Sequence, residues 1–320
     1  MKEVLETTKC VIDKGRHVTI DEEALVGFSQ KFLANNVDIP PWDCHYHYCG
    51  DEETMVSYLL VLDTLNFCFW AMAGDNRWEI RYESKPVSGY FGLAAALKLA
   101  LESRVPLTNA EFLRDITAEK LKSLLGGFGA LSLLDKRIGA LNELGQILLT
   151  DYAGRAVNFV EDAGGSAVRL ARLLARKLSS FRDMALYEGR EVYFYKRAQI
   201  FAADLHGAFN GRDWGHFSDI DKLTAFADYK LPQVLRHLRI LQYDEGLAEK
   251  VDKQELIGPG SPEEVEIRAS TVWAVEFIRQ ALGRKGTPVT ASQIDWMLWN
   301  FGQDDQYRAR PYHRTLTVFY

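Results

Sequence analysis

The stretch LTAFADYKLPQVLRHL, Leu223 to Leu238, sets a carboxylate, a phenol and an ammonium side by side, as Asp228, Tyr229 and Lys230, at a break between two apolar runs. Pro232 suits the first turn of a helix, and Leu231 before it is biased away from helical dihedrals. Ser218 or Asp219 is placed to cap a preceding helix through Ile220, Leu223 and Ala227. Val234, Leu235, Leu238 and Leu241 give the following helix its apolar face. This predicts a helix–turn–helix junction with three polar groups near a helix N-terminus, where partial positive charge and free N–H groups suit an anion. On spacing alone, Asp228 and Lys230 read first as ordinary turn and capping residues.

Three further stretches carry chemistry-bearing residues. In EVYFYKRAQIFAADLHGAF, Ala198, Phe201, Ala202, Leu205 and Phe209 recur at helical spacing, which leaves Lys196 and Arg197 near an N-terminus. Cations there oppose the macrodipole by roughly 0.3–1 kcal/mol each. A bound phosphate would remove the conflict; a solvated pair or a surface ion pair is the alternative. In VLDTLNFCFW, Asp63, Asn66, Phe67 and Trp70 fall at i, i+3, i+4 and i+7, one stripe of a helix. An amide edge with two aromatic faces suits a heterocycle, although such stripes also form ordinary cores whose Asp and Asn find backbone partners. In ASQIDWMLWNFG, Asp295 and Trp299 flank a face of Ile294, Met297, Leu298 and Phe301. A carboxylate beside an indole can hold a cationic amine, or it can be a surface acid favoured by the helix dipole. Glu266 and Arg268 in VEIRAS are open to the same two readings, pocket lining or structural ion pair.

The hexapeptide CHYHYC, with Cys44, His45, His47 and Cys49, invites zinc but lacks CxxC spacing and a second ligand pair, so no metal is expected. Neither a Gly-rich phosphate loop nor a G-x-S-x-G elbow occurs.

These side chains need a scaffold. The chain has 320 residues, 47% apolar and 12% aromatic, enough for a sizeable core. Its net charge is −6, which disfavours long nucleic acid as a partner because phosphate neutralisation supplies most of that affinity. The longest apolar stretch, Met55 to Ala73, is interrupted by Ser57, Asp63, Thr64 and Asn66, so no membrane span is expected. MKEVLETTKC lacks the apolar core of a secretory signal, and a cytoplasmic location follows as an expectation. Capping boxes are read at Thr108 with Glu111, Ser261 with Glu264, and Thr290 with Gln293. Loops are expected over 35–53, 210–219 and 257–262. A hairpin is expected at RWEIRY and ESKPVSGYF, and a C-terminal strand at TLTVFY. The fold class expected is mainly α, one helical domain over 1–320 with a small β element.

Taken together, VLDTLNFCFW, SGYFGLAAALKLALE, FYKRAQIFAADL, FADYKLPQVLRHL, VEIRASTVWAVEFIR, IDWMLWNFG and PYHRTLTVFY resemble, in this order, the queuosine salvage protein family. The resemblance covers roughly residues 40 to 320; the first forty carry none. It implies a fold similar to helix–hairpin–helix DNA glycosylases and an N-glycosylase that hydrolyses queuosine 5′-monophosphate to queuine and ribose 5-phosphate. Within it, Asp228 stabilises cationic character on the ribose. Asn66, Phe67 and Trp70 hold the base, with His47, Phe226 and Trp299 as walls. Asp295, or failing that Glu266, meets the queuine amine. Lys196, Lys230 and Tyr229 hold the phosphate, with Arg197 and His313 in reserve. No cofactor is implied, and the partner is the small nucleotide. A helix–hairpin–helix DNA glycosylase and a non-catalytic helical scaffold are the alternatives.

Overall fold

In the computed structural model the described residues are 1–34, 39–72 and 74–320. Residues 35–38, within the loop expected over 35–53, and Ala73, at the end of the long apolar stretch, lie outside them. Apolar periodicity of 3.6 dominates the chain, and helices follow from it. They are α1 (Lys2–Ile12), α2 (Glu22–Ala34), α3 (Glu52–Leu65), α4 (Gly89–Glu102), α5 (Ala110–Arg114), α6 (Ala118–Leu125) and α7 (Leu134–Asp151). The series continues with α8 (Ala156–Asp162), α9 (Ala167–Lys177), α10 (Lys196–Ala208), α11 (Lys230–His237), α12 (Glu245–Asp252), α13 (Pro262–Arg284) and α14 (Ala291–Phe301). Among the described residues the strands form antiparallel pairs: β1 (Val18–Ile20) with β6 (Leu241–Tyr243), β2 (Glu79–Tyr82) with β3 (Lys85–Ser88), and β4 (Met184–Tyr187) with β5 (Arg190–Tyr193). The mainly helical class with a small β element is therefore as expected, and β2–β3 is the expected hairpin.

Leu59, Leu97, Leu144, Leu174 and Phe201 mark one apolar cluster, built on α3, α4, α7, α9 and α10. Leu25, Leu235, Ile278 and Leu298 mark a second, built on α2, α11, α13 and α14. The 23-residue α13 feeds both, with Val265, Ala269 and Val272 in the first and Ile267, Val275 and Ile278 in the second. It is buried along most of its length, charged residues included, and so is the helix the two clusters share.

Several local expectations are corrected. The box at Thr290 forms completely, but at Ser261 the Glu264 carboxylate takes the Gly260 N–H instead of closing the box. Asn109, not Thr108, caps α5 and accepts from the Phe112 N–H. The closing TLTVFY forms no ladder; Arg314 alone bridges to Leu256, and the Tyr320 hydroxyl donates to Glu264 in the interior. The helix expected through Ile220, Leu223 and Ala227 is a single 3-10 turn, Ile220–Lys222, followed by buried extended chain. Asp219 caps a different helix, accepting from the Ser166 hydroxyl and the Ala167 N–H at the start of α9. The extended segment has no strand beside it, so side chains supply the missing acceptors: Gln199 takes the Thr224 N–H at 2.9 Å and Asp295 takes the Phe226 N–H at 2.6 Å. The stripe Asp63, Asn66, Phe67, Trp70 does not exist either, because α3 stops at Leu65. The buried Arg137 guanidinium donates to the carbonyls of Leu65, Phe67 and Cys68, which holds the chain out of the helix.

Candidate active site

A cavity of about 820 Å³, open to solvent, lies where these irregular segments meet. One wall is a face of α10, where Lys196, Ile200 and Asp204 follow one another at helical spacing. Asn66, Phe67 and Phe69 come from the chain after α3, and Tyr90 and Phe91 from the first turn of α4. The extended segment and the start of α11 bring Phe226, Asp228, Tyr229 and Lys230; α14 brings Asp295, Trp296 and Trp299.

Asp228 is 6% exposed, and its Oδ1 accepts the N–H groups of Lys230 at 2.7 Å and Leu231 at 2.9 Å. One oxygen thus satisfies the opening of α11, and the other has no hydrogen-bond partner among the described residues. Burial raises the Asp228 pKa, while the nearby Lys196 ammonium and the two N–H groups oppose the rise. Lys196 is itself buried, which lowers its pKa, with Asp228 the strongest attraction holding its charge. Its position is fixed from behind: the Lys196 N–H donates to Asp183 at 2.9 Å, and Asp183 takes the Arg268 fork at 2.6 and 2.9 Å.

Lys230 is different in kind. Among the described residues its ammonium has neutral hydrogen-bond partners, Gln233 Oε1 and the Gly302 carbonyl, both at 3.4 Å, and lies 5.4 Å from the Tyr312 ring. Burial, aided by Arg308, lowers its pKa to about 8. A half-buried cation lacking a carboxylate at hydrogen-bond distance is a place for an anion. Asp295 is held well above the usual carboxylate range by burial, and Asp204 is pushed up to about 7 by the same cause.

Of the side chains singled out in the sequence, the cavity thus gathers Asn66, Phe67, Lys196, Phe226, Asp228, Tyr229, Lys230, Asp295 and Trp299. Five others are elsewhere. Trp70 is buried under Arg314, 5.6 Å away, once the chain has left α3. His47 sits behind Tyr90, with burial lowering its pKa to about 4. Glu266 accepts from the N–H groups of Arg16 and His17 and from the Tyr187 hydroxyl, so it anchors β1 and β4 instead of facing a ligand. Arg197 donates to the carbonyls of Asp63, Thr64 and Ser180. His313 meets the Tyr320 hydroxyl, and burial takes its pKa to about 3, so it is neutral and ill suited to phosphate. Arg268 is the structural ion pair of its two readings. Cys44 and Cys49 join in a disulfide, and among the described residues no group of His, Cys, Asp and Glu is placed for a metal ion.

Tyr90, Phe91, Asp204, Arg77 and Gln303 line the cavity without having been singled out. Asp204 had a signal: it follows Lys196 by two helical turns on the same face. Tyr90 was hidden in SGYF, read there as the end of a hairpin.

Residues 45–320 match the family described as "Queuosine salvage protein". The chain belongs to that family. It is 46% identical, over 99% of its length and 97% of the relative's, to a Sphaerobacter thermophilus protein named queuosine 5′-phosphate N-glycosylase/hydrolase. Proteins of that name from Dictyostelium discoideum, 38% identical over 99% of this chain and 98% of the relative, and from Bos taurus, 34% identical over 98% of each, are also similar. The likeness to the Sphaerobacter thermophilus protein takes in the segment before residue 40, which carries none of the family motifs quoted above. That segment is built into the fold, with β1 paired to β6 and α1 packed on α13. Among the described residues no helix is long and apolar enough to cross a membrane.

Proposed function

We propose that this chain hydrolyses the N-glycosidic bond of queuosine 5′-monophosphate, releasing queuine and ribose 5-phosphate. The observation that carries the reading is the disposition of Asp228: one oxygen pinned by two backbone N–H groups, the other unclaimed among the described residues, with Lys196 beside it and, two residues on, Lys230, whose ammonium has neutral hydrogen-bond partners. Breaking the bond builds positive charge on C1′ and O4′ of the ribose. A fixed carboxylate there stabilises that charge and orients or deprotonates a water molecule. The base leaves as a 7-deazaguanine, which has no N7 to protonate, so hydrogen bonding and exclusion of water must do the activation.

Lys230, with Tyr229, takes the 5′-phosphate at the opening of α11. Phosphate held there uses binding energy remote from the reacting bond to place the sugar over Asp228. Lys196, deeper and flanked by Asp228, serves as counterion to the carboxylate. Asn66, Phe67, Phe226 and Trp299 form the base pocket. Asp295 braces the segment that carries Phe226. The site of action is taken to be the cytoplasm. Neither a metal nor a cofactor is required by this chemistry.

The test is incubation with the nucleotide and chromatography for the free base. Asp228→Asn should lower turnover by about 10²–10⁴-fold, the range for a positioned acid–base group. Near-parent cleavage by that variant would refute the assignment. The dephosphorylated nucleoside should react far more slowly than the nucleotide.

A further inference from the structure

Asp204 stands out among the cavity's carboxyls because little protein holds it. Asp228 is tied by two backbone N–H groups and Asp295 by one; for Asp204 the hydrogen-bond partner is the Tyr90 hydroxyl, 3.1 Å from Oδ2. That hydroxyl is shared, since His47 Nε2 is 3.0 Å from it. His47 Nδ1 lies 2.7 Å from the Asp43 carbonyl, which can only accept, so the ring proton sits on Nδ1 and Nε2 is an acceptor. Tyr90 therefore has one hydrogen for two acceptors if Asp204 is ionised. The shortage disappears when Asp204 carries a proton and donates it to the Tyr90 oxygen. Burial drives both groups the same way, His47 to neutral imidazole and Asp204 to neutral acid.

The surroundings add a second observation. Tyr90, Phe91 and Trp299 form a three-sided aromatic box, with ring centroids 5.3 to 5.7 Å apart. Aromatic faces carry negative potential and attract cations. Asp204 is eight residues beyond Lys196 on α10, about 12 Å at 1.5 Å per residue. Asp204, among the aromatic rings, thus lies two helical turns along α10 from the Lys196–Asp228 pair, in the same cavity.

We propose that Asp204, with the box of Tyr90, Phe91 and Trp299, is the subsite for a cationic amino substituent on the base, and that it releases its proton to bulk water when the cation arrives. This rests on the proposed function and deepens it, naming what selects the base. Asp295, already committed to the Phe226 N–H, and Glu266, remote from the cavity, are relieved of that role. The titratable and charged groups facing Asp204 are Tyr58 and Asp63 on α3, Tyr90 on α4, Lys196 on α10 and Asp295 on α14. None but Lys196 is a cation, so an incoming ammonium meets acids. An ionised Asp204 takes the Tyr90 hydrogen away from His47. A neutral base cannot compensate that loss, and selectivity follows.

The experiment compares queuosine 5′-phosphate with 7-deazaguanosine 5′-phosphate, which has the ring system without the amine. The parent protein should favour the first in kcat/KM by about 10–100-fold, the range for a hydrogen bond to a charged group. Asp204→Asn should cut that preference to about threefold or less, mainly through KM. An undiminished preference in the variant overturns the proposal. Calorimetry on the unaltered protein, in buffers of different ionisation enthalpy just below neutral pH, gives an answer even if the variant does not fold. Queuine should release a fraction of a proton on binding and 7-deazaguanine none; equal proton counts overturn the proposal. If the parent frees no base from either nucleotide, the proposed function fails, and the calorimetry still decides the subsite.

Discussion

Lys230 and Asp228 are two residues apart, yet burial acts on them in opposite directions, raising the acid's pKa and lowering the amine's. A lysine is charged below its pKa and neutral above it. Phosphate affinity that depends on Lys230 is therefore complete at neutral pH and lost as pH rises through about 8. Since kcat/KM reports groups of the free enzyme, its profile for the nucleotide should fall on the alkaline side from about 8. Lys230→Met should raise KM and remove that limb; a parent profile flat well into the alkaline range would contradict the assignment. On the acid side Asp228 must be ionised, and its raised pKa places the loss of activity above the ordinary aspartate value of about 3.9. Lys196 acts differently. Its removal strips Asp228 of its main counterion, so Lys196→Ala should move the acid limb upward and lower kcat more than it raises KM.

At the scale of elements, close packing sets the tolerances. A Cβ at Gly145 on α7 would stand 2.3 Å from the Arg114 nitrogen and 2.5 Å from the Ala110 carbonyl of α5, both backbone atoms that cannot step aside. Gly145→Ala should cost about 1–3 kcal/mol, the usual range for overpacking, seen as a lower urea midpoint at unchanged slope. Unchanged stability would mean that α5 and α7 pack otherwise. The helices were legible in the sequence because their periodicity and caps are local, as at Thr290. What the sequence hid is decided by distant partners. The end of α3 depends on Arg137, some seventy residues away, and the extended run before Asp228 depends on Gln199 and Asp295. The same cause explains which polar residues share the cavity. Asp228, Lys196 and Lys230 could be picked out by type and neighbourhood. Glu266, Arg197 and His313 have the same types, but they are taken up by backbone groups or hydroxyls of elements far along the chain. Asp204 escaped because its partner, Tyr90, belongs to a helix more than a hundred residues earlier.

For the whole molecule, the net charge of −6 sets a condition on recognising an anion: the attraction must be local, from cations lining the cavity and not from a basic surface. The cavity also joins the two apolar clusters, since α4 and α10 belong to one and α11 and α14 to the other. A ligand seated there touches both and should oppose their separation, so binding must appear as stability. At about 100 times its Kd a ligand stabilises the folded state by about 2.7 kcal/mol, which for a chain of this size is a rise of a few degrees in Tm. Queuine and ribose 5-phosphate should each give such a rise, while guanine, lacking the amine, should give a smaller one at equal concentration. The variants should separate the two halves of the site. Lys230→Met should abolish the response to ribose 5-phosphate and keep that to queuine, and Asp204→Asn should do the reverse. Melts in which both variants lose both responses together would show one indivisible pocket, not a cavity with two separable subsites.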